Sequence, residues 1–234
     1  MTALAEIQGH TFFLPALGPD SIVLDLGASC GEFALEMQAM TCCDCYCAEA
    51  SPSAFQVLEQ HKTIETVLVA ITGVDGPASV YVGGCEGDKY WVKTQAGVVD
   101  NKSAQEVPGL TLKSFMAKCG IETADLIKVD IEGAELNMFE ACSDELLSRV
   151  GQFSVEFHDF IDPSMLPRVQ AIIQRLERLG FEAIVMTRNA HGDVLLLNRA
   201  LLGIGAWDLF YMRSVEKYRR GLKRMFSRGL RKVL

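Results

Sequence analysis

The chain has 234 residues, 49% of them hydrophobic and 22% charged, with a formal net charge of −8 at pH 7. That length suits one substantial domain, and the composition excludes fibrous and disordered classes. No apolar run reaches the roughly 18 residues a membrane span needs, and Met1–His10 lacks the basic and apolar regions of a secretory signal, so a cytoplasmic protein is expected.

In chain order, Ser21–Leu26 reads as a first strand, followed by a glycine-containing turn. Phe33, Met37 and Met40 recur at helical spacing and predict a helix over Gly31–Met40. Cys43–Ala48 is a second strand, and Ser51-Pro52 an N-cap with proline in the first turn of the next helix. Thr66–Ile71 reads as a third strand, which Ser79–Val82 extends or flanks. Gly83–Val107 has mixed polarity and reads as a long excursion, with Tyr90 and Trp91 as candidate acceptor-stacking or packing aromatics. Thr111–Lys118 is a short capped helix, Leu126–Ile131 a fourth strand, Gly133–Ala141 a helix and Phe153–Phe157 a fifth strand. Leu166, Val169, Ile172, Ile173, Leu176 and Leu179 mark a helix that stops at Gly180, and Phe181–Met186 and Val194–Leu197 are two further strands. Strands alternating with helices predict a doubly wound α/β domain over residues 1–200.

Eight cysteines in a cytosolic setting read as thiols. Cys42, Cys43, Cys45 and Cys47 are crowded enough for a metal. The alternation of the last three, and the lack of a second Cys/His pair, favour one buried face of a strand.

Val23-Leu24-Asp25-Leu26-Gly27-Ala28-Ser29-Cys30-Gly31 is an apolar strand, an acid, and two glycines at a helix entrance. Gly27 permits a tight turn, and Gly31 a close backbone approach of a ligand. The dinucleotide fingerprint is missed, because position 29 is serine, and there is no phosphate-binding lysine loop. The loop therefore suits a nucleoside without a pyrophosphate. Glu49, at the end of the next strand, can accept both ribose hydroxyls.

Asp125-Leu126-Ile127-Lys128-Val129-Asp130-Ile131-Glu132-Gly133-Ala134-Glu135 is more specific. It resembles the signature strand of FkbM-type methyltransferases. The loop at 25–31, Glu49 with Pro52, Ala70-Ile71 with Asp75-Gly76, Thr111-Leu112 and Glu156-Phe157-His158 match as well. The resemblance covers about residues 15–200. It implies a class I, Rossmann-like methyltransferase fold with a mostly parallel seven-stranded sheet, S-adenosylmethionine as donor, and O-methylation of sugars or natural products. Donor contacts are implied at Asp25, Gly27, Ala28, Gly31, Glu49 and Ala70.

By alternation Lys128, Asp130 and Glu132 share one side of the fourth strand, and Glu156 and His158 one face of the fifth. If those strands are neighbours, as the resembled fold implies, the groups converge. The catalytic candidates are then Asp130, His158, Glu156 and Lys128, as a general base with its orienting acid. Asp130, Glu132 and Glu156 could instead hold a divalent metal, or the whole set could be an ion-pair network around Lys128. Glu135 reads as a first-turn helix acid. His10, His61 and His191 have no motif context and read as surface or loop residues.

Residues 213–234 carry nine Lys/Arg against one acid, whereas residues 1–212 carry 13 basic and 29 acidic side chains. The acidic body argues against nucleic acid on the domain. Residues 201–234 form a basic amphipathic segment whose partner is an anionic membrane surface, a partner helix or the domain itself. The acceptor is expected to be a hydroxylated small molecule or glycan. A catalytically silent nucleoside-binding module and a nicotinamide oxidoreductase are the competing functions.

Overall fold

The computed structural model describes residues 3–82, 90–93, 104–187 and 190–216. Strands β3 (Ile22–Leu26), β10 (Ala124–Val129), β11 (Val150–Val155) and β13 (Val194–Asn198) are buried along nearly their whole length. A strand with no exposed face must be covered on both sides. These four join β4 (Asp44–Glu49), β5 (Glu65–Leu68) and β12 (Phe181–Val185) in a seven-stranded sheet of order β12-β13-β11-β10-β3-β4-β5. Only β13 runs against the rest. The mostly parallel doubly wound sheet is the one expected.

Its two faces are covered by different clusters. Phe115, Phe139, Phe153 and Phe157 centre one, packed against helices α3 (Leu112–Lys118), α4 (Glu135–Ala141) and α6 (Leu166–Arg178). Phe33, Met37, Cys43, Cys45, Cys47 and Leu58 fill the other, beneath α1 (Glu32–Thr41) and α2 (Pro52–Leu58). The cysteine run thus supplies small buried side chains to the strand's inner face.

Local chemistry fixes the helix starts. Ser51 Oγ accepts the Ala54 N–H at 3.3 Å ahead of Pro52, and Thr111 Oγ1 accepts the Ser114 N–H at 3.2 Å. Asp75 reaches across to the second cap, accepting from Thr111 N at 2.7 Å and Ser114 Oγ at 2.6 Å. α6 buries Val169, Ile172 and Leu176, and the chain reverses at Gly180 with φ +93°.

Several regions differ from expectation. Thr66–Ile71 is not one strand: β5 ends at Leu68, and β6 (Ala70–Ile71) belongs to a second, four-stranded sheet. That sheet, ordered β6-β9-β7-β8, includes β7 (Gly76–Val82), and the described residues within the expected excursion form β8 (Tyr90–Lys93) and the start of β9 (Ala104–Leu110). The side chains of Tyr90 and Trp91 lie outside the described residues. A short helix, α5 (Asp144–Ser148), precedes β11.

The N-terminus forms a hairpin, β1 (Leu4–Ile7) and β2 (His10–Phe13), that seals the sheet. Gln152 Oε1 accepts the Phe13 N–H at 2.7 Å, and Asp193 accepts from Thr11 N at 3.1 Å and Thr11 Oγ1 at 2.8 Å.

At the other end the packed chain continues past residue 200, through α7 (Arg199–Leu202) and α8 (Ala206–Tyr211). Ile204, Leu209 and Met212 are buried with Leu4, Leu195 and Leu197, and Arg213 pairs with Glu182 and the Ala183 carbonyl. The start of the basic segment is therefore part of the domain. The remainder, 217–234, lies outside the described residues. Among those described, no helix is long and apolar enough to cross a membrane.

Candidate active site

The carboxyl ends of β3, β4 and β10 open onto a cleft of about 250 Å³ lined by Gly27, Ser29, Glu49, Ser51, Val69, Ile71, Asp130 and Glu132. This is the edge where open α/β sheets bind ligands. Gly27 is its pivot. At φ +81°, a Cβ there would lie 1.8 Å from the Asp130 carbonyl oxygen, so only glycine lets the two strand exits pass.

Below the turn, Lys128 Nζ donates to the Gly27 carbonyl at 2.6 Å and stands 3.0 Å from Asp25 Oδ1. Asp25 is fully buried, and among the described residues neither of its oxygens accepts a hydrogen bond from a group other than Lys128. Burial alone would lower the Lys128 pKa, but Asp25 and Asp130 outweigh it and hold the ammonium charged. Both residues thus sit under the cleft floor, where they fix the turn.

The other implied donor residues divide similarly. Glu49 borders the opening, where Oε2 accepts the Ser29 N–H at 2.7 Å and Oε1 the Ser51 N–H at 2.6 Å. Each oxygen keeps a lone pair for a ligand, and burial raises the carboxyl's pKa despite those two bonds. Gly31 has a different task from the expected ligand approach. A Cβ there would meet Leu58 Cδ1 at 2.9 Å, so the glycine seats α1 against α2. Ala28 is buried beneath the turn, and Ala70 is buried beside the cleft-lining Val69 and Ile71.

On the other side of Asp130 the groups from β10 and β11 do converge, since the strands are parallel neighbours. Alternation fails after Val129, however, because Asp130–Gly133 is a turn with Glu132 at φ +51° and Gly133 at φ +96°. That turn swings Glu132 Oε2 to 3.3 Å from His158 Nε2, while Asp130 Oδ1 stands 3.8 Å from the same nitrogen. Glu135 does more than favour its helix dipole. Fully buried, its Oε1 accepts the N–H groups of Ile131 (3.1 Å) and Gly133 (3.0 Å) and faces His158 Nδ1 at 3.1 Å.

Burial would push the His158 pKa down, but Glu132 and Glu135 reverse this and raise it to about 10. At neutral pH it is an imidazolium, a donor with no lone pair to act as a base. Burial would raise Asp130, yet His10, Lys128 and His158 hold it at about 2. Glu156, just past β11, is raised by burial and by the Asp130 charge.

His10 is the residue that sequence reasoning missed. It is 2% exposed, its ring meets Phe33 edge-on at 5.9 Å, and its Nε2 lies 3.6 Å from Asp130 Oδ2. The signal was Gln8-Gly9, a two-residue turn between short strands, with both residues at positive φ. His191, read as a loop residue, places Nδ1 2.6 Å from Asp159 Oδ2 in the loop before β13. Two sets of ligand atoms, His10/Asp130/Glu156 and Asp130/Glu132/His158, each lie within 4.8 Å of one another, close enough to hold a metal ion.

The Methyltransferase FkbM domain matches residues 25–183. A 74-residue stretch is 32% identical to the AMB antimetabolite synthetase AmbE of Pseudomonas aeruginosa, covering 32% of this chain but only 4% of that protein. Among solved structures, the fibrillarin pre-rRNA processing protein of Methanococcus jannaschii is 15% identical, with 83% of this chain and 70% of that one covered and a TM-score of 0.45. A putative caffeoyl-CoA O-methyltransferase from Staphylococcus aureus is 9% identical, with 76% of each chain covered and a TM-score of 0.45. Likenesses at that level carry no functional weight.

Proposed function

This chain belongs to the FkbM methyltransferase family, and from that premise we propose that it transfers the methyl group of S-adenosylmethionine to a hydroxyl of a glycan or natural product. The observation that carries the donor site is Glu49, fixed by the Ser29 and Ser51 N–H groups at the rim of a cleft shared with Gly27 and Asp130. A carboxylate held this way faces a ribose diol with its orientation already set, so little ordering cost falls on binding.

Transfer is an in-line displacement: the acceptor oxygen bonds to the methyl carbon as the carbon–sulfur bond breaks, and the hydroxyl proton passes to a carboxylate of the acidic side, Asp130 or Glu156. Asp130 borders both the donor cleft and that acidic side, which suits it to align the hydroxyl. Alignment of this kind can supply roughly 7–11 kcal/mol of the barrier. His158, clamped between Glu132 and Glu135, acts through Asp130 and Glu132 as a positioning residue. An acidic acceptor side also suits a neutral hydroxyl better than an anionic oxygen. The stretch shared with an antimetabolite synthetase supports a natural-product acceptor.

Two measurements test this reading. Heat unfolding with S-adenosylhomocysteine should raise the midpoint, by about 2.7 kcal/mol of stabilisation at a hundredfold excess over Kd, whereas NAD should not. Methyl-labelled S-adenosylmethionine should label hydroxylated glycans or small molecules. Label only in amines would overturn O-methylation, and stabilisation by NAD alone would favour an oxidoreductase.

We also propose that the C-terminal end meets an anionic membrane. Trp207 is 84% and Phe210 60% exposed, on a helix anchored by buried Leu209, immediately before the nine basic residues of 213–234. Exposed aromatics beside clustered Lys/Arg suit a headgroup boundary. The full chain should sediment with anionic vesicles in a salt-sensitive way, and a chain ending at Met212 should not. Equal sedimentation of both would contradict the proposal.

A further inference from the structure

From the acceptor side of the cleft we infer a divalent-cation site built by His10, Asp130 and Glu156. Three elements distant in sequence deliver these groups: the start of β2, the exit of β10 and the exit of β11. Their ligand atoms all lie within 4.8 Å of one another.

The spacing of one pair, His10 and Asp130, is that of ligands around an ion. Groups bound at about 2.1 Å to one cation stand roughly 3–4.3 Å apart, whereas a direct charged hydrogen bond closes to about 2.7–2.9 Å. His10 Nε2 and Asp130 Oδ2 are 3.6 Å apart, a long ion-pair contact whose spacing also suits two ligands of one ion, with Lys128 Nζ 4.0 Å from the same oxygen.

The state of His10 points the same way. The side chain is buried behind the hairpin with Nε2 aimed at Asp130, while Nδ1 points away from the cluster and has no hydrogen-bond partner among the described residues. An ion between Nε2 and Asp130 Oδ2 would replace their long contact with two short ligand bonds on the inward edge of the ring. The second set of ligand atoms lacks this feature, because His158 already faces Glu132 at 3.3 Å and Glu135 at 3.1 Å.

One imidazole and two carboxylates suit a borderline divalent ion such as Mn²⁺ or Zn²⁺ better than the all-oxygen preference of Ca²⁺. Three protein ligands leave positions for water or for an acceptor oxygen. An ion there draws electron density from a hydroxyl and eases loss of its proton. That consequence rests on the proposed methyl transfer, but occupancy of the site does not.

The test is therefore metal binding by the full chain without donor or acceptor. Mn²⁺ is titrated into chelator-treated protein, and bound ion is read from loss of the free-ion electron paramagnetic resonance signal. Wild type should bind one equivalent. Glu156→Gln and His10→Phe should each weaken binding at least tenfold, with near-ultraviolet circular dichroism and the metal-free melting curve reporting that each variant is folded. His158→Gln, outside the proposed ligand set, should retain binding. No binding by wild type would overturn the site, as would equal affinity in folded Glu156→Gln. Loss confined to His158→Gln would place the ion on the other set of ligands and contradict this assignment. None of these readouts depends on methyl transfer, so failure of the metal site and failure of the donor reading are distinguishable.

Discussion

The two sides of the cleft are built on different principles. The side proposed for the donor is backbone held in place: the Gly27 turn, the Ser29 and Ser51 N–H groups, and one carboxylate whose oxygens both have assigned donors. The side proposed for the acceptor is a crowd of side chains in which Asp130 stands 3.6 Å from His10 and 3.8 Å from His158. A pre-satisfied frame suits a ligand that is the same at every turnover. Loosely spaced charges suit a place where protons move or an ion binds. Damage to the first should therefore appear as lost stability or affinity, and damage to the second as lost turnover.

Substitutions can break that contrast or sharpen it. The largest effect is expected under the floor, where Lys128→Met would leave the buried Asp25 carboxylate without its counter-ion. Breaking a buried pair from one side costs about 3–5 kcal/mol, to be read from urea unfolding. Gly27→Ala should cost about 3 kcal/mol or more in the same assay, since its Cβ would collide with the Asp130 carbonyl. If either unfolds like wild type, the donor frame is not held as described. Asp130→Asn should behave in the opposite way. Turnover should fall by about a hundredfold or more, with S-adenosylhomocysteine affinity changed less than about threefold. Equal losses in both would merge the two sides into one.

The same contrast explains what was legible in the sequence. The side proposed for the donor lies within one strand-turn-helix and the strand after it, so the turn at Gly27 and the strand-end acid Glu49 could be located from local spacing. Even so, spacing could not say that Asp25 faces Lys128 or that Gly31 makes room for Leu58, because both are contacts between elements. On the acceptor side the signature strand exposed Asp130 and Glu132, but His10 came from a hairpin too short for periodicity to register. The reading of Glu135 as a first-turn acid holds but was incomplete for a related reason. Its place in the first turn of α4 is visible in sequence, whereas its contact with His158, 23 residues away, depends on β10 pairing with β11. Val69, between β5 and β6, hid the switch from one sheet to the other, since an unbroken apolar run looks the same in either.

The smallest expected effect belongs to the most direct test. Calorimetric titration of S-adenosylhomocysteine into wild type and Glu49→Ala examines whether this cleft is the donor site. Loss of charge-assisted hydrogen bonds to the ribose should weaken binding by about 1–3 kcal/mol, roughly 5- to 150-fold, with one binding site retained. Equal affinity in the two proteins would remove Glu49 from the donor site and contradict the assignment of the cleft.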